Sequence, residues 1–541
     1  MLNSPILILT LSAALLAPAM PAAATTQSGV SSTSGRGSSS RLLRSSRRDL
    51  KSLQSQEKRL RTSRVAFDHE REAIIRGLLE NIARAKPPDP EYPRDLEATL
   101  LSLLGTALDQ GDRKPEAIER WERLAKMAEG ALKKGLLRAD LTRLREDILL
   151  SERADSPLRA AVARLLVGET SGRSTMALLA TSRMASELVA NTCRASLVGR
   201  RDEAVHAYFV RLLEPQGKSP LVDPRLAARA EAHFAIIPLA EDSPSAARLA
   251  DWVARHLMSQ SWREACRAVS FSACLTDEAI VPALIEALGL WQGRQDSGLA
   301  VRRTMHEIAS ALKDRSGRNI GTDPRRWQVW WRGVQNGTVT RRANAGSPAE
   351  ATSAGFFGIR PNSDRIVFII DASGSMDTAF TGGTGTGTSS HTRFDEAINQ
   401  LESCLKLLGP KTHFNVVLFN SGSRSWKQKL TTATNSHIQG AKTWLRHHPP
   451  GGGTGLRLGV QEALHMSTWG DLDIKRLEAD TVVILCDGAT DSGPGWVDPF
   501  LLHLNSKARL LFHAVRIGGS GDGTLQALAW GSGGRCVDVD G

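Results

Sequence analysis

Along residues 65–335 apolar side chains recur at i, i+3, i+4 and i+7, and the runs break at Pro, Gly or Ser-Pro. The segments AIIRGLLENIARA, DLEATLLSLLGTALDQ, EAIERWERLAKMAEGALKKG, PLRAAVARLLVGE, DEAVHAYFVRLLE, EAIVPALIEALGLW and AVRRTMHEIASALKD therefore predict one amphipathic helix after another. No alternating strand pattern intrudes. Short helices joined by short turns cannot each bury an apolar stripe alone, so the pattern predicts a stacked array of helical pairs over residues 65–340.

The pattern changes class after residues 341–362, a linker rich in Ala, Ser, Gly and Pro. Residues 365–370, RIVFII, form a continuous apolar run of buried-strand type. Downstream the chain predicts a helix over 393–408, strands at 413–420 and, as an edge, 425–430, and a helix over 436–447. A Gly-rich loop at 451–455 then opens a further helix, and apolar strands follow at 479–488 and 509–518. A helix in GTLQALAW and a short strand in RCVDVD end the chain. Apolar strands alternating with helices predict an α/β doubly wound, mostly parallel sheet over residues 363–541. Ligands of such sheets sit beyond the carboxyl ends of the strands.

The N-terminus follows neither pattern. Residues 1–24 carry an apolar stretch from Ile6 to Leu16 and end in small residues, with Ala22-Ala23-Ala24 as an A-x-A cleavage site. This reads as a signal peptide and implies export to a periplasm, cell surface or medium, although the segment lacks a Lys or Arg before its apolar core; an uncleaved anchor is the alternative. Residues 25–64 form a disordered, Ser- and Arg-rich tail, because TTQSGVSSTSGRGSSS offers almost nothing to bury. In residues 41–64 leucines at 42, 43, 50, 53 and 60 alternate with arginines. That stretch is either a basic amphipathic helix for an anionic envelope surface, or a solvated helix that begins the helical region.

Composition narrows the classes. The chain has 541 residues, 41% hydrophobic and 23% charged, with a formal net charge of +12. The excess is local: ten Lys/Arg lie in residues 31–64 against Asp49 and Glu57, whereas residues 361–541 hold 16 Lys/Arg against 17 Asp/Glu. Six cysteines cannot frame a disulfide scaffold, and Cys404, Cys486 and Cys536 read as small hydrophobes within their elements. No bilayer-length apolar run follows the N-terminus, so a polytopic membrane protein is excluded. With two tyrosines and no RNP-type aromatic run, no specific nucleic-acid platform is expected. The pair His447-His448 reads as a solvated loop, and no H-E-x-x-H or C-x-x-C occurs.

The informative chemistry lies at the ends of two apolar strands. The first delivers Asp371-Ala-Ser373-Gly-Ser375 directly into a loop, Thr454 sits in the Gly-rich loop, and Asp487-Gly488 ends the second. Two carboxylates and three hydroxyls are hard oxygen ligands, suited to Mg²⁺, with Mn²⁺ or Ca²⁺ as substitutes. The loop 451–455 lacks the G-K-[ST] ending of a phosphate loop. Residues 377–391, DTAFTGGTGTGTSSH, are longer than a minimal loop and are expected to hang over the metal, as a gate or as passive surface.

This set, over about residues 363–541, resembles the von Willebrand factor type A domain with a complete metal-ion-dependent adhesion site. The resemblance implies that Ser373, Ser375 and Thr454 bind a divalent cation through their hydroxyls. It implies that Asp371 and Asp487 hold the ion directly or through water, and that a Glu or Asp of a partner protein completes the sphere. Separately, NIGTDPRRWQVWW after a helix pair is similar to the last HEAT-like repeat and capping Trp segment of large bacterial proteins, with Trp327, Trp330 and Trp331 closing the repeat core. The expectation is an exported, non-enzymatic binding, adhesion or scaffold protein. A metal-assisted hydrolase, with His391 as a candidate base, and a tether run by the basic tail are the alternatives.

Overall fold

The computed structural model describes residues 139–151, 156–214, 222–296, 302–339, 356–359, 361–380, 391–488, 490–518 and 521–539. The signal peptide, the basic tail, the first three predicted helices and most of the loop at 377–391 lie outside the described residues. Cα proximity divides the chain into two compact units, Met1–Val205 and His206–Gly541.

In the first unit, α1 (Ala139–Leu150), α2 (Ser156–Leu165), α3 (Gly172–Met184) and α4 (Glu187–Leu197) pack on one another. Ser171 caps α3 through its hydroxyl. The Arg200 guanidinium donates to Thr175 Oγ1 at 2.9 Å and to the Leu166 carbonyl at 2.6 Å, tying two turns of the bundle together.

After α5 (Glu203–Arg211), the second unit continues with α6 (Pro224–Phe234), α7 (Pro244–Leu257), α8 (Trp262–Ser272), α9 (Asp277–Asp296), α10 (Arg302–Ser316) and α11 (Pro324–Gln335). Three of these starts repeat one device: Asp223, Ser243 and Asp323 accept backbone N–H groups, each with Pro in the first turn. The side chain satisfies an orphan donor and the ring presets the helical φ. The sequence pattern located α2, α5, α9 and α10 but passed over α1, α3, α4, α6, α7 and α8, most of whose apolar stripes are diluted by alanine and arginine. Trp327, Trp330 and Trp331 are all buried, and the Trp327 indole donates to the Gly321 carbonyl at 2.7 Å. Among the described residues, no helix is long and apolar enough to cross a membrane.

The C-terminal part is an α/β sheet. Its strands are β1 (Arg365–Asp371), β2 (His413–Phe419), β3 (Ser423–Ser425), β4 (Thr431–Thr432), β5 (Thr481–Cys486), β6 (Leu511–Ile517) and β7 (Cys536–Val539). They run in the order β3-β2-β1-β5-β6-β7, with β4 also paired to β2. β1 is parallel to β2 and β5, and β5 to β6 and β6 to β7; only β3 and β4 are antiparallel, both on β2. The helices are α12 (Arg393–Leu408), α13 (Asn435–Arg446), α14 (Leu456–Ala463), α15 (Val497–Phe500), α16 (Ser506–Ala508) and α17 (Thr524–Gly531).

Alternation along β1 explains the apolar run. Ile366, Phe368 and Ile370 enter one core with residues of α12 and α13, whereas Val367 and Ile369 enter another with residues of α14, α15 and α17. A strand covered on both faces has no polar side. The predicted edge strand at 425–430 is displaced: pairing occurs at Ser423–Ser425 and Thr431–Thr432. Between them the Asn415 side chain donates to the Lys427 carbonyl at 2.6 Å and accepts its N–H at 3.1 Å, so an amide side chain stands where a strand neighbour was expected.

Arginines fasten the helical layer to the sheet. Arg303 of α10 donates to the Asp480 carbonyl at 2.7 Å and the Arg509 carbonyl at 2.6 Å, and pairs with Glu307 at 2.5 Å. Arg263 donates to Ala508 O at 3.0 Å, Arg267 to Ser506 O, and Arg509 forks onto both oxygens of Glu231 at 2.7 Å. Apart from the Arg303–Glu307 pair within α10, these contacts reach residues just before β5 and β6, the amino ends of the strands.

Candidate metal centre at the carboxyl end of the sheet

Asp371 is the last residue of β1 and Asp487 follows the last residue of the neighbouring β5, so the parallel pairing carries two acids to one edge. Asp371 is 0% exposed. Its Oδ1 accepts the Ser373 N–H at 2.7 Å, an Asx-type turn that bends the chain back over the strand end. Its Oδ2 is buried with no hydrogen-bond partner. The Ser373 and Ser375 hydroxyls lie 3.1 Å apart. One ligand atom each from Asp371, Cys486 and Asp487 lie within 4.8 Å of one another.

The Gly-rich loop that carries Thr454 is bound to this turn by its backbone. Gly374 N–H donates to Gly452 O at 3.1 Å, and Gly451 N–H to Ala372 O at 2.8 Å. Gly452 has φ +86°, and a Cβ there would sit 2.8 Å from Ser421 Oγ, so the turn requires glycine. Asn420, at the end of β2, donates to Gly451 O at 2.9 Å. The Thr454 N–H donates to Asp491 Oδ2 at 2.9 Å, which holds the threonine backbone from the far side.

Electrostatics at the centre are unbalanced. Burial pushes the Asp371 carboxyl up to about 6; the neighbouring Cys486 thiol and the Ser373 N–H on Oδ1 oppose the shift, and the nearby Asp487 charge adds to it. Burial, and then the Asp371 charge, push the Cys486 thiol well above its ordinary range in the metal-free protein. Arg393, the first residue of α12, lies 3.6 Å from Asp487 Oδ2 and donates to Gly518 O at 3.2 Å. A buried carboxylate oxygen without a donor, beside a second carboxylate and two converging hydroxyls, is the donor set of a hard divalent cation, so the residues fit such an ion.

Sequence reasoning named Asp371, Ser373, Ser375, Thr454 and Asp487, and the fold brings the loops that bear them to one end of the sheet. It passed over Asp491, Arg393 and Asn420, which act on the loops from outside the motif. Asp491 stands four residues after Asp487, and that spacing was its only signal. His391, considered as a base, has its Nε2 2.8 Å from Glu396 Oε2. His447 is exposed and His448 half-buried in the turn after α13, as the sequence suggested, and their Nδ1 atoms lie 2.6 Å and 2.7 Å from the Thr443 and Trp444 carbonyls.

The family model of the von Willebrand factor type A domain matches residues 364–538. Inter-alpha-trypsin inhibitor heavy chain H1 of Mesocricetus auratus is 27% identical over 162 residues, 29% of this chain and 16% of that protein. Heavy chain H2 of Homo sapiens is 27% identical over 104 residues, 19% of this chain and 10% of that protein. The matched stretch thus spans a small part of these curated relatives. Among solved structures, the von Willebrand factor type A protein from Catenulispora acidiphila aligns with a TM-score of 0.26 and 20% identity over 32% of this chain and 38% of that one. Proximal thread matrix protein 1 from the mussel byssus aligns with a TM-score of 0.24 and 18% identity over 32% and 40%. The family match, together with the parallel sheet, assigns a von Willebrand factor type A domain to residues 364–538 of a chain whose preceding part is helical.

Proposed function

We propose that this protein is an exported, non-enzymatic binding or scaffold protein whose C-terminal domain engages a partner's carboxylate through a divalent cation. The observation that carries the reading is the buried, unpartnered Oδ2 of Asp371 beside the Ser373 and Ser375 hydroxyls. Ser373, Ser375 and Thr454 would hold the ion through hydroxyl oxygens, and Asp371 and Asp487 through carboxylates, directly or through water. The ion supplies a positive charge that a Glu or Asp of the partner can neutralise, and Mg²⁺ suits an all-oxygen set, with Mn²⁺ or Ca²⁺ as substitutes. Binding is favoured over turnover because the five motif residues are oxygen ligands and include no nucleophile–base pair. The helical part, read as HEAT-like stacking capped by Trp327, Trp330 and Trp331, serves as the scaffold, and the apolar N-terminus as the export signal.

Magnesium should raise the melting temperature of the full chain, because a ligand that binds only the folded state stabilises it. Asp371→Ala should remove that response. An unchanged magnesium response in this variant sinks the metal assignment. Affinity capture with magnesium and with chelator, using the full chain, then identifies the partner.

A further inference from the structure

A cavity adjoins the loop proposed to hold the metal. Its volume is about 370 Å³, and it is lined by Ala372, Asn420, Arg424, His447 and His448, with the end of β2 and Pro449 completing its wall. Ala372 stands between Asp371 and Ser373, so the cavity begins at the loop that would hold the ion. Asn420 forms part of its wall and also binds Gly451 O, which joins the cavity to the loop of Thr454.

The charge of this cavity has one sign. Its lining holds an arginine and two histidines and no carboxylate. Arg424 is exposed on β3, where its backbone pairs with Leu418, and its guanidinium stands in no ion pair among the described residues. Carbonyl oxygens only accept, so the Nδ1 atoms of His447 and His448 must be the donors to Thr443 O and Trp444 O. The rings are thereby anchored at the carboxyl end of α13 with each Nε2 turned to its accepting side, so the charged donor this cavity offers an acid is the Arg424 guanidinium.

We propose that this cavity receives a second acidic side chain of the same partner segment whose first carboxylate reaches the metal, so that the partner is an acidic peptide or loop with two carboxylates a few residues apart. The inference rests on the metal-dependent reading above. An extended chain advances roughly 3.3 Å per residue, so acids separated by one to three residues can reach from the ion into an adjoining cavity. The metal supplies one anchor, and Arg424 selects for the second, with the two histidine rings walling the cavity beside it. Linking the two contacts makes the second one intramolecular.

The test uses the full chain with magnesium and two synthetic peptides, one carrying two glutamates separated by two residues and one with the second glutamate replaced by glutamine. Titration calorimetry should give tighter binding of the two-glutamate peptide, by roughly fivefold for exposed charge contacts. Arg424→Ala and Arg424→Glu should abolish that preference while leaving the magnesium-induced melting shift intact. In Arg424→Glu, a peptide with lysine at the second position should bind better than the two-glutamate peptide. Equal affinity of the two peptides for the wild-type protein, a preference that survives both variants, or absence of binding with the magnesium shift retained each overturns the proposal and leaves the metal site standing. Absence of the magnesium shift removes the metal reading itself, and the paired-acid proposal with it.

Discussion

Arg393 Nη1 stands 3.6 Å from Asp487 Oδ2, so a protein cation shares a carboxylate with the proposed metal centre. Two positive charges near one carboxylate repel each other. Arg393→Met should therefore tighten magnesium binding by roughly threefold to tenfold, read by calorimetry at low ionic strength, with the difference shrinking in salt. The same change removes the donor to Gly518 O and should cost about 1 kcal/mol of stability without metal. Weaker magnesium binding in Arg393→Met would show that the arginine orients Asp487 for the ion.

Asp371 illustrates a conflict between stability and function. An amide of the same shape keeps an oxygen for the Ser373 N–H, while it removes a buried negative charge that lacks a donor on Oδ2. Without metal, Asp371→Asn should be more stable than the wild type by about 1 to 3 kcal/mol at pH 8, measured by urea denaturation. With saturating magnesium the order should reverse. A variant that is less stable in both conditions contradicts the view that the acid is retained for an ion.

Asp491 is exposed, yet it holds the Thr454 N–H at 2.9 Å. Asp491→Ala should weaken magnesium binding by roughly fivefold to tenfold through a loosened threonine loop, while the metal-free melting temperature moves by little. Asp491→Asn keeps an acceptor and should restore most of the affinity. If Asn and Ala behave alike, charge rather than loop positioning is the contribution.

Asp371, Ser373, Ser375, Thr454 and Asp487 were visible because each adjoins an apolar strand or a glycine run, a strong local pattern. The side chains that hold the loops, Asn420, Asp491 and Arg393, act across the fold, and one sequence does not show which loops meet. The order of elements was visible from β1 onward for the same reason. The helical stretch Pro494–Ala508 was not, because GPGW reads as a turn and its short, partly π-helical run has no full amphipathic period.

Acid should destabilise the sheet through His513. Its Nδ1 accepts the Arg535 N–H at 3.1 Å, and burial, reinforced by Arg303 and Arg535, lowers its pKa to about 4. A histidine depressed in the folded state binds fewer protons there than in the unfolded chain. Its contribution is present above the ordinary histidine pKa of about 6.5 and is lost as pH falls toward 4, amounting to up to about 3 kcal/mol. His513→Asn retains an acceptor for Arg535 and should flatten the pH dependence of urea stability over that window. An unchanged slope assigns the acid sensitivity elsewhere.

Arg303 is 4% exposed and bonds two carbonyls at the foot of β5 and β6 as well as Glu307. Arg303→Met leaves the Glu307 carboxylate without its partner and frees both carbonyls, which should cost about 3 to 5 kcal/mol. Scanning calorimetry should also show the helical part and the sheet melting in separate transitions, where the wild type melts them together. A single transition shifted downward would mean that the remaining arginine contacts suffice to couple them.

The arginine contacts lie at the amino ends of the strands and the acids at the carboxyl ends, which fixes the direction in which a pull through the proposed metal centre would travel. Tension entering at Asp371 and leaving through Arg303 and Arg509 runs along β1, β5 and β6, parallel to the strand axes. The ladders between these strands are then sheared, with many hydrogen bonds opposing the force at once, instead of being peeled one at a time. In mechanical terms the C-terminal domain would act as a tie rod, gripped at the amino ends of its strands by arginine contacts and loaded at the proposed metal centre.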